Sequence, residues 1–225
     1  MSTQAILFDL DGTLADTAPD LGLALNIQRE RHGLPALPQA LIRPHASHGS
    51  KGLLGVGFGL VPEDADFASM RDEYLDLYGQ VLTHAPVMFD GVAELLSVIE
   101  AAGIRWGVVT NKPRRFTLPL MDAMGLAERA ACIVSADDAS RPKPYPDTLL
   151  LACDLAGTPA LNCIYVGDAE RDIQAGKAAG MRTVVARYGY LAEHDIPESW
   201  GAEMLIDAPG ELAALLGLKP LQLQR

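Results

Sequence analysis

The chain has 225 residues, 49% hydrophobic and 21% charged, enough for one sizeable core or a core with a smaller insertion, and too apolar for a disordered chain. A formal net charge of −11 argues against a nucleic-acid partner, because a phosphate backbone demands a basic face. No apolar run reaches a bilayer span, Ala5-Ile6-Leu7-Phe8 is entered with no basic n-region or small-residue cleavage site before it, and Cys132, Cys153 and Cys163 lack CxxC spacing, so the chain is expected to be cytoplasmic, off the membrane, with reduced buried thiols.

Residues 4–10 read as a short buried strand, ended by the turn signal Asp11-Gly12-Thr13. From Asp16 the pattern becomes helical, with Leu21, Leu25 and Ile27 on one side and Gly33 as its stop. A Pro-rich join over 34–38 leads to a second helical stretch from Gln39. Between Gly49 and Gly59 five glycines alternate with apolar residues, a pattern open to helix or loop. Residues 62–82, with Tyr74, Leu75 and Tyr78, read as another helix. No convincing strand intervenes before Val87, so residues 16–85 are expected to form a helical insertion.

From Met88 onward strands alternate with helices. The expected helices are 90–102, 116–124, 147–155 and 172–179, and the expected strands are 105–109, 131–134, 163–166 and 183–186. That alternation implies an α/β fold with a parallel sheet covered by helices on both faces. Such sheets bind ligands beyond the carboxyl ends of their strands.

The chemistry-bearing residues fall at those ends. Asp9 and Asp11 follow the first strand, Thr110 and Asn111 the next, and Asp168 a later one, while Lys143 lies in the loop Arg141-Pro142-Lys143-Pro144 after another. Singly, each is more often a turn residue, a helix cap or a solvated lysine. Together they bring three carboxylates, a hydroxyl and an ammonium to one edge. Clustered carboxylates repel unless a cation neutralises them, and hard oxygens suit Mg²⁺. Asp9 could then attack phosphorus, with Asp11 as acid and base, while Thr110 and Lys143 bind phosphoryl oxygens. The acidic chain would meet its anionic substrate through the cation and a few local donors.

Phe8-Asp9-Leu10-Asp11-Gly12-Thr13-Leu14, with Thr110, Lys143 and Gly167-Asp168 through Asp172, resembles the haloacid dehalogenase superfamily over essentially the whole chain. The resemblance implies a Rossmann-like core, residues 1–15 and 86–225, and a small all-helical cap, residues 16–85. It implies Asp9 as nucleophile and Asp11 as acid/base. Mg²⁺ would be bound by Asp9, Asp168 and the backbone carbonyl of Asp11, with Asp172 supporting them from behind. Asp11 speaks for phosphoryl transfer over dehalogenation, since an alkoxide leaving group needs a proton.

Thr110-Asn111-Lys112-Pro113, the Lys143 loop and Tyr165-Val166-Gly167-Asp168 look like the phosphoglycolate phosphatase branch. The cap strand Arg43 to Leu54 and the run 104–109 are also similar to N-acetylmuramic acid 6-phosphate phosphatases. The expected substrate is a small carboxylated phosphate ester such as 2-phosphoglycolate, with the muramic acid ester or a sugar phosphomutase reaction as alternatives. A vestigial site that only binds a partner is disfavoured by the intact residue set. Arg43, His45, Ser47, His48 and Lys51 form the locally basic cluster. Arg43 and Lys51, beside Thr110, Asn111 and Lys143, are candidate substrate ligands; a solvated helix end is the bland alternative. Arg114 and Arg115 are second candidates. His32, His84 and His194 read as surface or packing residues, Trp106 as core or interface, and 217–225 as a loosely ordered tail. Monomer and homodimer are both left open.

Overall fold

A computed structural model of the chain describes residues 3–84 and 86–218; Ala85, at the expected edge of the insertion, and most of the 217–225 tail lie outside the described residues. The strands are β1 (Ala5–Phe8), β2 (Arg105–Val109), β3 (Ile133–Val134), β4 (Cys163–Gly167), β5 (Arg182–Ala186) and β6 (Met204–Ile206). They form one six-stranded sheet in the order β3-β2-β1-β4-β5-β6, every pairing parallel. Phe8 lies opposite both Val108 and Val166, so β1, β2 and β4 finish almost level. The residues that follow them, Asp9, Thr110 and Asp168, therefore leave the sheet at one edge. The chain changes direction across the sheet beside β1, and that switch point is where open α/β sheets bind ligands.

Between β1 and β2 come α1 (Ala18–Arg31), α2 (Gln39–Ile42), a 3₁₀ turn (Arg43–His48), α3 (Gly49–Phe58), α4 (Phe67–Val81) and α5 (Val92–Ala101). The remaining helices are α6 (Arg114–Ala123), α7 (Asp147–Ala156), α8 (Glu170–Ala178) and α9 (Pro209–Leu215). Side chains alternate across the sheet with period two. Ile6, Phe8, Trp106, Val108 and Ile164 face one way and pack with α5, α6 and α9 through Leu96, Leu120 and Leu212. Ala5, Leu7, Val109 and Tyr165 face the other way, against α7 and α8 through Leu149, Ala152 and Ala175. Helices thus cover both faces. The first of these cores continues into α1 and α4 through Leu21, Leu25, Tyr74 and Leu77.

Three stretches differ from the sequence reading. The segment read as a cap strand, residues 43–54, is a 3₁₀ turn running into α3; Pro44 opens the turn, and no β-branched residue appears before Val56 to favour a strand. The helix expected from Pro62 begins at Phe67, after a turn in which the Val61 N–H donates to Asp64 Oδ2 at 2.8 Å. β6 and α9 were not expected at all. Three and seven residues long, they are too short for a periodic signal to stand out.

Gly107 marks a close approach inside the sheet. A Cβ there would press into Cys132 and come within 3.1 Å of Leu7, which is why the middle of β2 has no side chain. Gly107→Ala should therefore lower stability by about 1–3 kcal/mol through overpacking, seen as a lower urea midpoint with an unchanged slope.

Candidate active site

Asp9, Asp168 and Asp172 are buried, and each offers a carboxylate oxygen within 4.8 Å of the others. Asp9 arrives directly from β1; its Oδ1 accepts the Leu10 N–H at 2.7 Å and faces Lys143 Nζ at 2.9 Å. Asp168 arrives from β4; its Oδ2 accepts the Ser47 hydroxyl at 2.7 Å and the Tyr190 N–H at 2.9 Å. Asp172 lies in the first turn of α8, where it accepts the Ala169 N–H at 3.0 Å and meets Lys143 Nζ at 2.7 Å. Gly12, at φ 85°, lets the turn after Asp9 fold against Asp168, because a Cβ there would collide with that carboxylate.

Three buried carboxylates against the Lys143 ammonium and the nearby Arg171 guanidinium leave the cluster short of positive charge. Burial, then the charges of Asp172 and Asp9, pushes the Asp168 carboxyl up to about 7. Burial also raises Asp9, opposed by Lys143. An all-oxygen donor set with excess negative charge fits a hard divalent cation. Asp172, expected behind the ligands, stands among these oxygens. The carboxylate of Asp11 is not part of the cluster; it turns instead to Lys112 Nζ at 2.9 and 3.1 Å and accepts the Thr17 hydroxyl at 2.5 Å.

The Lys143 side chain is fully buried. Besides the two carboxylates, its ammonium reaches the Val109 carbonyl at 3.1 Å and the Tyr165 hydroxyl at 2.8 Å. Its loop is clipped by Asn111, whose amide donates to the Lys143 carbonyl and accepts the Lys143 N–H, both at 2.9 Å. Asn111, a candidate substrate ligand, lines the cavity with Asp9 and Thr110 while its amide is engaged with this loop. The Thr110 hydroxyl accepts the Lys112 N–H at 3.1 Å, and Thr110 lines the cavity together with Asp9.

That cavity holds about 1070 Å³ between the strand ends and the helical insertion. His45, Ser47, His48 and Lys51, for which a site-facing wall and a solvated helix end were both open, line its insertion side. Burial, then the charge of Arg171, holds His48 below the usual histidine range. Arg43 is not in this wall. It reaches Asp16 at 2.9 Å and lies 4.9 Å from the Tyr190 ring centroid, while the Tyr190 hydroxyl donates to Asp16 at 2.8 Å. Its charge and planar face are already satisfied where the insertion joins the sheet. Arg115 lines the cavity, whereas Arg114 is turned to Asp138 at 3.0 Å. His32 packs outside the site against Glu73 at 2.8 Å.

Sequence reasoning gave no role to Lys112, Arg171 or Tyr190. The only local signals were adjacency, since Lys112 follows Thr110-Asn111 and Arg171 precedes Asp172. Tyr190 had none.

A family model described as haloacid dehalogenase-like hydrolase matches residues 6–186. An N-acetylmuramic acid 6-phosphate phosphatase of Pseudomonas aeruginosa is 42% identical over 96% of this chain and 96% of its own length. A phosphoglycolate phosphatase of Xanthomonas campestris pv. campestris is 41% identical over 93% and 94%. Among solved structures, CbbY from Rhodobacter sphaeroides in complex with phosphate superposes with a TM-score of 0.74 at 26% identity, covering 96% of this chain and 100% of that one.

Replacing Lys143 by Met would strand two buried carboxylates. In EDTA-treated protein, Lys143→Met should lose roughly 3–5 kcal/mol of stability, measured by urea unfolding. A loss under about 1 kcal/mol, the scale of an exposed pair, would show that the ammonium does not hold the cluster together.

Proposed function

The chain belongs to the haloacid dehalogenase-like hydrolases, among their phosphatases, and we propose that it cleaves a phosphate monoester through an aspartyl-phosphate formed on Asp9. One observation carries the reading. The buried Asp9 carboxylate accepts the Leu10 N–H at Oδ1 and meets Lys143 there, no hydrogen bond among the described residues falls on Oδ2, and Asp9 lines a cavity beside two further carboxylates.

Asp9 attacks phosphorus and expels the alkoxide, which Asp11 protonates. Asp11 then takes a proton from the water that cleaves the acyl phosphate, freeing Asp9 and inorganic phosphate. Lys112 and Thr17 hold the Asp11 carboxylate in place for both transfers. The Thr110 hydroxyl donates to a phosphoryl oxygen, and Lys143 keeps the Asp9 carboxylate ionised and oriented. Asp9 and Asp168, with Asp172 beside them, would hold Mg²⁺, which supplies the positive charge that lets carboxylates and a phosphate dianion share one site. The helical insertion acts as a cap that covers the reacting groups.

The size and lining of the cavity favour one of the two substrates in the relatives' names. Small-molecule sites run to roughly 300–1,000 Å³, and this one is about 1070 Å³. A two-carbon phosphate ester would leave most of it empty. Its walls combine apolar Leu21, Tyr74 and Leu75 with the cations Lys51 and Arg115, chemistry suited to a sugar-sized acid. N-acetylmuramic acid 6-phosphate fits that description, and 2-phosphoglycolate is the second reading.

Phosphate release from purified protein should stop with EDTA and return with Mg²⁺. Asp9→Asn should abolish it with the melting temperature preserved; turnover by that variant would remove Asp9 from the nucleophile's role. The kcat/KM for N-acetylmuramic acid 6-phosphate should exceed that for 2-phosphoglycolate by about tenfold or more, a difference of ~1.4 kcal/mol. The reverse preference would restore the smaller substrate.

A further inference from the structure

Tyr78 carries a polar atom with no hydrogen bond to make inside the protein. Its side chain comes from α4 of the helical insertion and is 1% exposed. Its hydroxyl is buried without a hydrogen-bond partner among the described residues. Protein interiors leave few hydroxyls in that state, because each costs the desolvation of a donor. Phenylalanine would fill the same space without that penalty. Four other buried side-chain polar atoms also lack such a partner among the described residues, on Gln28, Ser135, Thr148 and Arg187, but none of those residues lines the main cavity, and Tyr78 does.

The ring is fixed by its neighbours. Tyr74 lies parallel to it with centroids 6.3 Å apart, Phe116 from α6 meets it edge-on at 5.3 Å, and Lys112 Nζ lies 4.6 Å from its centroid. Contacts from the insertion and from the sheet side thus hold the hydroxyl in one place. Lys112 is also the ammonium that faces both oxygens of Asp11, at 2.9 and 3.1 Å, so Tyr78 stands beside the group that protonates the leaving oxygen. The alcohol half of a substrate lies on that side of the phosphoryl group. Burial, then the negative charges of Asp11 and Asp20, holds the phenol well above its usual range. The hydroxyl therefore keeps its proton and is a donor at physiological pH.

We propose that the Tyr78 hydroxyl is a substrate contact, donating a hydrogen bond to a sugar oxygen next to the phosphate-bearing carbon. The inference rests on the phosphatase reading above and on its sugar-sized substrate. It concerns the alcohol half of the ester and explains why the insertion presents a tyrosine where packing asks only for a ring.

Tyr78→Phe removes the hydroxyl and keeps the ring. Its kcat/KM for N-acetylmuramic acid 6-phosphate should fall roughly three- to tenfold further than its kcat/KM for p-nitrophenyl phosphate, whose alcohol half has no oxygen near the ester; that is the scale of one hydrogen bond between neutral groups. Equal losses on the two esters would overturn the assignment. The urea midpoint of the variant should match or exceed that of the parent, since an unsatisfied group has been removed. A lower midpoint, or a variant that does not fold, would show that the hydroxyl already has a partner within the protein, and would overturn it too. A parent protein that hydrolyses neither ester would sink the phosphatase reading and this inference with it. A parent that hydrolyses p-nitrophenyl phosphate but not the sugar ester would sink the Tyr78 assignment and leave the phosphatase reading standing.

Discussion

Everything around the candidate site follows from placing three carboxylates in a low-dielectric pocket against one buried ammonium. Like charges this close are tolerated only where opposite charge is fixed beside them. Lys143 supplies it by touching Asp9 at 2.9 Å and Asp172 at 2.7 Å at once. Its reach depends on the loop that carries it, and that loop is clipped by the paired hydrogen bonds of Asn111. The Asn111 clip and the buried Tyr165 hydroxyl therefore serve the same electrostatic end. So does the level finish of β1 and β4, without which Asp9 and Asp168 would not share an edge.

The helical insertion is tied into this arrangement. Ser47 donates to Asp168 at 2.7 Å, a hydrogen bond between residues far apart in the chain. Tyr190, whose N–H also donates to Asp168, reaches Asp16 with its hydroxyl and lies under Arg43. One carboxylate is thereby linked to both the wall of the cavity and the joint where the insertion leaves the sheet. The apolar core crosses the same boundary through Leu21, Leu25 and Tyr74. Movement of the insertion would change the hydrogen bonding of Asp168 directly, with no longer chain of contacts needed.

What could be read from the sequence was what local pattern encodes. Strand ends announce themselves by the switch from apolar run to Asp-Gly or Thr-Asn, so Asp9, Thr110 and Asp168 were legible, and with them the parallel sheet. Where a side chain reaches is a different matter. Arg43 and Lys51 stand eight residues apart in one basic stretch, yet one lines the cavity and the other turns to Asp16 and Tyr190. The direction was set by Asp16, 27 residues before it, and by Tyr190 near the far end of the chain, which no short window around Arg43 contains. β6 escaped notice for the opposite reason. It is a strand because β5 offers it an edge, and three residues cannot carry their own period.

The acidic balance of the chain sharpens how an anion can be drawn to such a site. Lys143 and Lys112 are neutralised by Asp9, Asp172 and Asp11 before any substrate arrives, so neither adds to the field felt outside the pocket. Their effect is to set carboxylate geometry. Attraction has to come from charge that is fixed at the cavity and not already paired, because only such charge is focused by low-dielectric walls toward the entering group. A divalent cation among the carboxylates would be one source. Lys51, Arg115 and Arg171, which line the cavity with Asp9, are others, and a guanidinium keeps its charge at any physiological pH. Charge fixed at the walls in this way lets a site accept a dianion in a protein of net charge −11.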